Sequence, residues 1–153
     1  MVTLNFNLTK EQLQDYLTNE KEIVTTEEKA RCKKVISECI ANNDVEGLVR
    51  NVTIYLGFNM ASYGTPYLID TICYMYKNNY TIHDRNKAFE ELSTKYGCSS
   101  QKFQNRMWNA ITSADKKGTK YWLYKWFPEY DNRKLSNVYA LSLALNELKN
   151  IFG

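Results

Sequence analysis

The chain has 153 residues, 44% of them hydrophobic, which is enough for one domain with its own core. It lacks both a signal-like N-terminus and any stretch approaching ~18 uninterrupted apolar residues, so the sequence argues against secretion or membrane spanning and predicts a cytoplasmic protein. The net charge of +3 is unevenly distributed: residues 1–46 hold six Lys/Arg and nine Asp/Glu, a balance of −3, whereas residues 47–153 hold fourteen and eight, a balance of +6.

Residues 1–46 are predicted to form a helical N-terminal extension. Thr9 with Gln12, and Thr25 with Glu28, have the spacing of capping boxes. Apolar residues recur at helical spacing in two stripes, which are Leu13, Tyr16 and Leu17, and then Cys32, Val35, Ile36, Cys39 and Ile40. Such stripes must be buried. We therefore expect the extension either to support the domain that follows or to dimerise with a second copy of the chain.

Residues 84–114 are predicted to form two amphipathic helices joined by a tight turn. The first is expected to begin at Asp84, a good N-cap residue, and to end at Gly97, which tolerates the left-handed conformation. Ser99 or Ser100 can cap the second helix. The positions expected to face the core are Ala88, Phe89, Leu92 and Tyr96 in the first helix, and Phe103, Met107, Ala110, Ile111 and Ala114 in the second. This arrangement is typical of a helix-turn-helix.

The opposite face of the second helix carries polar residues and one aromatic residue, namely Gln101, Lys102, Asn105, Trp108, Asn109 and Thr112. Gln and Asn can pair bidentately with adenine, Lys can reach guanine or phosphate, and none of these groups repels the DNA backbone. The face therefore suits the major groove of DNA. The alternative is an ordinary solvated face, because polar residues opposite a core stripe are expected on any surface helix.

Two ungapped blocks of the sequence resemble the DNA-binding effector domain of stage-zero sporulation protein A. The first block, residues 56–76, reads LGFNMASYGTPYLIDTICYMY, and its matching residues are Gly57, Gly64, Tyr67, Leu68, Ile72 and Tyr76. The second block, residues 95–111, reads KYGCSSQKFQNRMWNAI, and it matches by identity at Lys95, Ala110 and Ile111, and by type at Tyr96, Lys102, Phe103 and Met107. The resemblance covers roughly residues 48–153 at low sequence identity.

The resemblance implies that the second helix is a recognition helix. The positions that correspond to the family's base and phosphate contacts are Gln101, Lys102, Gln104, Asn105, Trp108 and Asn109. Only Lys102 keeps the charge type, so the family's target site is not carried over. Family members bind repeated sites as tandem copies, which implies a homodimer or tandem dimer on DNA. Residues 1–46 leave no room for the family's receiver domain, so control by aspartyl phosphorylation is not expected.

The predicted DNA-binding set also includes residues at both ends of that helix and the lysines after it. Lys116, Lys117 and Lys120 would hold phosphates, although each is equally well explained as a solvated charge. Arg106 is included even though the usual helix-turn-helix spacing places a buried residue there. Trp108 would contact a thymine methyl or a sugar, or else a partner protein. The full set is Ser100, Gln101, Lys102, Gln104, Asn105, Arg106, Trp108, Asn109, Thr112, Lys116, Lys117 and Lys120.

Six aromatic residues lie within residues 121–130. They would serve either as a stacking platform for single-stranded nucleic acid or as part of the core. The pattern favours burial, because a helix ending before Pro128 would turn Leu123, Trp126 and Phe127 inward. A last helix, capped by Ser136, is so strongly apolar that it should need cover on more than one side and close the domain core.

The sequence gives little support for catalysis or metal binding. His83 is the only histidine, and the four cysteines show no CxxC spacing. Cys32 and Cys39 are seven residues apart, which places them on one apolar stripe where free cysteine behaves as a small hydrophobe. No glycine-rich phosphate loop, nucleophile elbow or paired-carboxylate motif occurs. We therefore expect a protein that is not an enzyme and that uses neither metal nor cofactor.

These patterns predict an all-α protein with two parts. Residues 1–46 form the helical extension, and residues 47–153 form a helical bundle that contains a three-helix helix-turn-helix unit. The predicted function is sequence-specific binding of double-stranded DNA by a nucleoid-associated transcription regulator without membrane contact. One alternative is a DNA-binding accessory protein of a mobile element that marks an origin. Another is a protein-interaction module that has kept the fold and lost DNA binding.

Overall fold

A computed structural model of the chain describes residues 24–117 and 120–153. These residues form seven α-helices and one short 3-10 helix without any β-strand, which confirms the predicted all-α class for this part of the chain. The helices are α1 (Thr26–Ala41), α2 (Val45–Tyr55), α3 (Gly64–Lys77), α4 (Arg85–Lys95), α5 (Ser100–Lys117), α6 (Lys120–Trp126) and α7 (Asn137–Phe152), and the 3-10 helix is Ile82–Asp84. The helix predicted from Thr9 lies outside the described residues. None of the described helices is long and apolar enough to cross a bilayer.

Hydroxyl side chains cap the first and last described helices. Thr25 Oγ1 accepts a hydrogen bond from the backbone N–H of Glu28 at 3.0 Å, at the start of α1. Ser136 Oγ accepts one from the backbone N–H of Tyr139 at 3.1 Å, at the start of α7. Each bond satisfies one of the amide groups that have no partner within the first turn of a helix. The positions predicted for these two helix starts are confirmed.

Helix α1 packs against the body of its own chain. Cys32, on its inner side, is 1% exposed and lies in a small apolar cluster with Tyr121 and Trp122 of α6. Burial, with a smaller contribution from the charge of Glu28, raises the pKa of the Cys32 thiol to about 12, so this cysteine acts as an apolar side chain. The predicted boundary after residue 46 falls in the first turn of α2.

The core is built around the close crossing of α3 and α5. Gly64 begins α3, and a Cβ atom at this position would lie 1.9 Å from the backbone carbonyl oxygen of Arg106. Only glycine therefore allows the two helices to approach this closely. One turn further along α3, the ring of Tyr67 stacks on Phe103 with the ring centroids 4.5 Å apart. Met107 follows on the same buried side of α5 and is fully enclosed.

Helices α4 and α5 are joined by a short turn whose conformation follows from its residues. Gly97 has a φ of +69°, and Ser99 Oγ accepts the backbone N–H of Lys102 at 3.1 Å, both as predicted. Asp84 is the N-cap residue of α4, as predicted, but its side chain makes no capping hydrogen bond to this helix. Its carboxylate instead accepts the backbone N–H of Thr81 at 2.9 Å and closes the 3-10 helix that precedes α4. The apolar spacing in the sequence gives no sign of this 3-10 helix, and the 3-10 helix uses the Asp84 carboxylate that was expected to cap α4.

The aromatic residues after α5 belong to the core. Those that are buried are Tyr121, Trp122, Phe127 and Tyr130, and the half-buried Trp126 stacks on Trp122 with the centroids 4.6 Å apart. The favoured burial is therefore confirmed. The rings pack against one another and are not available as a flat surface on which bases could stack.

Helix α7 closes the core, as expected. The residues that it buries are Leu141, Leu143, Leu145 and Leu148. Val138 near its start is 42% exposed and Ile151 near its end is 38% exposed. The expected cover on more than one side is thus incomplete at both ends of the helix, within the part of the chain that the structure describes.

Candidate nucleic-acid interface

Helix α5 packs against three other helices along its apolar side and is exposed on the opposite side. Contacts with α3, α4 and α7 enclose its apolar side, on which Phe103, Met107 and Ile111 are fully buried. The open side carries Gln101, Lys102, Asn105, Trp108, Asn109 and Lys116, all of which are exposed. We call these six residues the α5 face. Its position opposite the buried stripe agrees with the helical spacing in the sequence.

The α5 face carries no carboxylate. Asp115 is the one acidic residue of α5, and its side chain is only 11% exposed. Its Oδ1 accepts a hydrogen bond from Lys120 Nζ at 2.9 Å, which pairs the charge inside the fold. The exposed charges of the face are therefore those of Lys102 and Lys116, and a polyanion approaching this helix meets no fixed negative charge on it.

Two amides on the α5 face bond to each other. Gln101 Nε2 donates to Asn105 Oδ1 at 2.9 Å, as residues four apart on a helix can do. This leaves the carbonyl oxygen of Gln101 and the Nδ2 group of Asn105 available to an outside partner. An acceptor and a donor side by side are the pattern that the edge of adenine requires.

Arg106 points away from the α5 face. Its Nη1 donates to the hydroxyl of Tyr67 at 2.9 Å, and its guanidinium lies over the ring of Tyr63, 4.7 Å from the centroid. Met107 takes the buried position that the usual spacing would assign to Arg106. The predicted contact of Arg106 with DNA would require the side chain to leave both tyrosines.

Three other members of the predicted set lie half-buried at the edge of the α5 face, namely Ser100, Gln104 and Thr112. Gln104 Nε2 donates to Ser100 Oγ at 3.1 Å. The backbone carbonyl of Gln104 accepts a hydrogen bond from Asn137 Nδ2 at 3.1 Å, which connects α5 to the start of α7. The Thr112 hydroxyl oxygen is buried and has no partner among the described residues.

The three lysines predicted to hold phosphates differ in their surroundings. Lys116 is exposed, whereas the side chain of Lys117 lies outside the described part of the chain. Lys120 donates to Asp115 and, at 3.1 Å, to the Tyr130 hydroxyl. Burial lowers the pKa of Lys120, but the hydrogen bonds to Tyr130 and Asp115 together outweigh it and leave the pKa raised. Lys120 is therefore charged and engaged inside the fold.

The end of α4 is fixed to α3 just before the turn. The Tyr96 hydroxyl donates a hydrogen bond to Asp70 Oδ2, and Lys95 Nζ lies 3.5 Å from the same carboxylate oxygen. Burial first, and then the hydrogen bond to Asp70, raises the pKa of Tyr96, so the phenol remains a donor. The direction in which the chain enters α5 is held by these contacts.

Several residues that hold the site were not identified from the sequence. Tyr67 and Asn137 bond to α5 residues that are 39 and 33 positions away in the chain, and no local pattern signals such partners. Asp115 and Lys120 are only five positions apart, and their opposite charges are a signal that could have suggested the pair. In comparisons with protein families, curated proteins and solved structures, the chain matches none.

Proposed function

We propose that the chain binds double-stranded DNA by inserting the α5 face into the major groove, with α4, the turn and α5 acting as a helix-turn-helix. The observation that supports this is an exposed helix face that presents amides and lysines without a carboxylate, on a helix packed along its other sides. The dimensions agree, because a helix with its side chains is ~10–12 Å across and the major groove is ~12 Å wide.

In this proposal, residues at different positions along the α5 face contact different parts of the DNA. Gln101 and Asn105 lie in the first two turns of α5, the part that helix-turn-helix proteins present to base edges, and would recognise adenine. Lys102 would contact guanine or phosphate, and Lys116 would contact phosphate. Trp108 would cover a thymine methyl or a sugar. Arg106 and Lys120, through the contacts described above, would hold α5 in place without touching DNA.

The biological role that we propose is transcription regulation by a nucleoid-associated protein, with two copies bound to adjacent half-sites. A DNA-binding accessory of a mobile element would use the same face but would mark an origin without changing transcription. Footprinting of the bound site, followed by a reporter assay with that site upstream of a promoter, separates these roles. A change in reporter output supports regulation, and an unchanged output supports origin marking.

A second candidate function is docking of a partner protein on the α5 face. Trp108 is 46% exposed, and tryptophan is enriched at protein interfaces and at their energetic hot spots. This function predicts no binding to any duplex at low salt, whereas DNA binding predicts an affinity that falls steeply as salt is raised. Titration of labelled random duplex at several salt concentrations therefore distinguishes the two.

The sharper experiment is selection of bound duplexes from a random pool by the full chain and by two variants. Asn105→Ala should relax base preference at one position, corresponding to a loss of ~1–3 kcal/mol of discrimination. Lys116→Ala should weaken all duplexes alike and reduce the salt slope by about one unit. Asn150→Ala and Lys149→Ala, at exposed positions of α7, are the matched controls. If neither variant differs from its control, the proposed roles of both residues are wrong.

A further inference from the structure

An apolar groove is formed mainly by α1, α2, α6 and α7. Its volume is about 210 Å³, and the described residues that line it are apolar except Thr53 and Glu147. The hydroxyl of Thr53 donates to the backbone carbonyl of Val49 at 2.7 Å and is thus already satisfied. The walls therefore offer water few hydrogen-bond partners, and the groove suits an apolar occupant.

The groove follows one side of α7 and opens at the end of this helix. Its lining residues on α7 include Ala140, Ala144, Glu147 and Ile151, whose spacing places them on one side of the helix. The two alanines have small side chains, which leave room beside the helix. Ile151 is 38% exposed and Ile40, in the last turn of α1, is 37% exposed, so the opening lies between the ends of α1 and α7.

The size of the groove limits the size of its occupant. Protein interiors rarely contain voids larger than a water molecule, and an apolar cavity of ~150 Å³ accepts benzene, or ~25 Å³ for each carbon atom. On that scale a groove of 210 Å³ holds about eight carbon atoms. Its inner wall includes Leu68 and Ile72 of α3, which are 3% and 5% exposed, so the inner end is shielded from water.

Glu147 determines the charge that is favoured at the opening. It is the one charged residue among the described residues of the groove wall, and it lies one turn before the exposed Ile151. Its Oε1 accepts a hydrogen bond from Asn150 Nδ2 at 3.1 Å. None of the ion pairs in the described part of the chain involves Glu147. A polar group at the opening therefore meets a carboxylate without a cation, which attracts a positive charge and repels a negative one.

We propose that the groove binds a small amphiphilic amine, with an apolar body of about eight carbon atoms inside the groove and the ammonium group on the Glu147 carboxylate. The apolar walls would exclude a polar group from the inner end, and Glu147 would select the charge at the outer end. Of the residues described, none that belongs to α5 lines the groove. The amine site is thus separate from the α5 face, and the inference goes beyond DNA binding.

The first test is calorimetric titration of the full chain at neutral pH with butylamine, hexylamine, octylamine and dodecylamine, each below its micellar concentration. Each added methylene should tighten binding by up to about fourfold until the groove is filled near octylamine, and dodecylamine should gain little more. An affinity that keeps rising through dodecylamine would indicate adsorption to apolar surface and would overturn the proposal. Lack of octylamine binding would overturn it as well.

The second test concerns the charge at the opening. Octylamine should bind more tightly than octanol, and octanol more tightly than octanoate. Glu147→Gln should weaken octylamine by about two- to fivefold, leave octanol unchanged and tighten octanoate, because the carboxylate at the partly exposed opening is removed. Glu91→Gln, at an exposed position of α4, is the matched control. Equal affinity of the natural chain for the amine and the acid would overturn the assigned role of Glu147.

The third test locates the bound amine. Ala144→Leu replaces a methyl group by an isobutyl group in the groove and should weaken octylamine by about tenfold or more, with the helical circular dichroism retained. Ala30→Leu makes the same exchange at an exposed position of α1 and should bind octylamine normally. Equal binding by both variants would place the amine elsewhere and overturn the proposal. Octylamine affinity that rises as a self-associated chain is diluted would identify a second copy as the occupant, with the same consequence.

Discussion

Replacement of Gly64 by alanine tests the close crossing of α3 and α5. The new Cβ would lie 1.9 Å from the carbonyl oxygen of Arg106 and 2.9 Å from the Cβ of Ala110, whereas ordinary contact begins at 3.4 Å. Because the first neighbour is a backbone atom, it cannot rotate away, and the two helices must separate by about 1.5 Å locally. Overpacking of this kind costs ~1–3 kcal/mol, and the offset from alanine is less than the ~1 kcal/mol that it gains over glycine in a helix interior, because residue 64 is the first of α3.

We expect Gly64→Ala to lower the free energy of unfolding by about 2 kcal/mol, since a shift of two backbones belongs at the upper end of that range. Urea unfolding followed by circular dichroism measures this, with an unchanged slope against urea if the folded state stays compact. Gly97→Ala is the contrasting variant. Its Cβ meets no atom within 4 Å, so its cost is the backbone strain at a φ of +69°, about 1 kcal/mol.

Gly97→Asn should recover most of the loss seen in Gly97→Ala, because asparagine tolerates the left-handed conformation. Gly64→Asn should be no more stable than Gly64→Ala, since the cost at this position comes from the steric clash of the Cβ atom with the Arg106 carbonyl and not from the backbone torsion angle. A Gly64→Ala protein within about 0.5 kcal/mol of the natural sequence would refute the reasoning, as this is the usual effect of a substitution at an unconstrained surface site.

Three further predictions concern groups enclosed near the candidate site and in α1. Lys120→Met should cost about 1–3 kcal/mol in urea unfolding, because it leaves the largely buried Asp115 carboxylate without its cation, and partial exposure of the pair reduces the full cost. Tyr96→Phe should lower stability by about 1–3 kcal/mol in the same assay, because the Asp70 carboxylate loses a hydrogen-bond donor. Cys32 should be alkylated by iodoacetamide at pH 9 only as fast as the chain unfolds, since it is 1% exposed and burial raises its pKa to about 12.

Each of these predictions has a matched control in the chain. Lys149→Met removes an exposed lysine and should be nearly neutral, and Tyr63→Phe keeps the exposed ring below Arg106 and should also change little. Equal stability of Lys120→Met and Lys149→Met would show that the buried ion pair contributes nothing. Cys98, which is half-exposed, should react before Cys32, and the reverse order would contradict the assigned burial.

The sequence predicts the parts of this fold that depend on local geometry. Gly97, Ser99 and the apolar spacing after it define the turn, the start of α5 and its buried side, because each signal acts within one or two helix turns. The direction of Arg106 could not be predicted in this way. Its partners are Tyr63 and Tyr67, which lie about 40 residues earlier in the chain, and both come within reach of Arg106 only because α3 crosses α5 closely.

In the candidate site too, local features could be predicted from the sequence, whereas contacts with distant residues could not. Exposure of Gln101 and Asn105 follows from helix periodicity alone. Lys120 was predicted to bind phosphate together with Lys116 and Lys117 because the sequence shows only that these lysines lie close together in a basic region. Tyr130 and Asp115 enclose it once α6 and the following loop have folded against α5, so its role differs from that of Lys116 although both are lysines of one basic region.

Because α5 is held by contacts with three other helices, its backbone can adjust little when a ligand binds to the α5 face. At Gly64, α3 lies close against the α5 backbone, and α7 donates a hydrogen bond to the Gln104 carbonyl, so tilting or sliding of α5 toward a ligand would have to break these contacts. Adjustment is left to the rotation of long side chains such as Lys102. A ligand whose shape does not already complement the α5 face would therefore have to deform in order to bind. The energy of that deformation would make the affinity depend on the stiffness of the ligand.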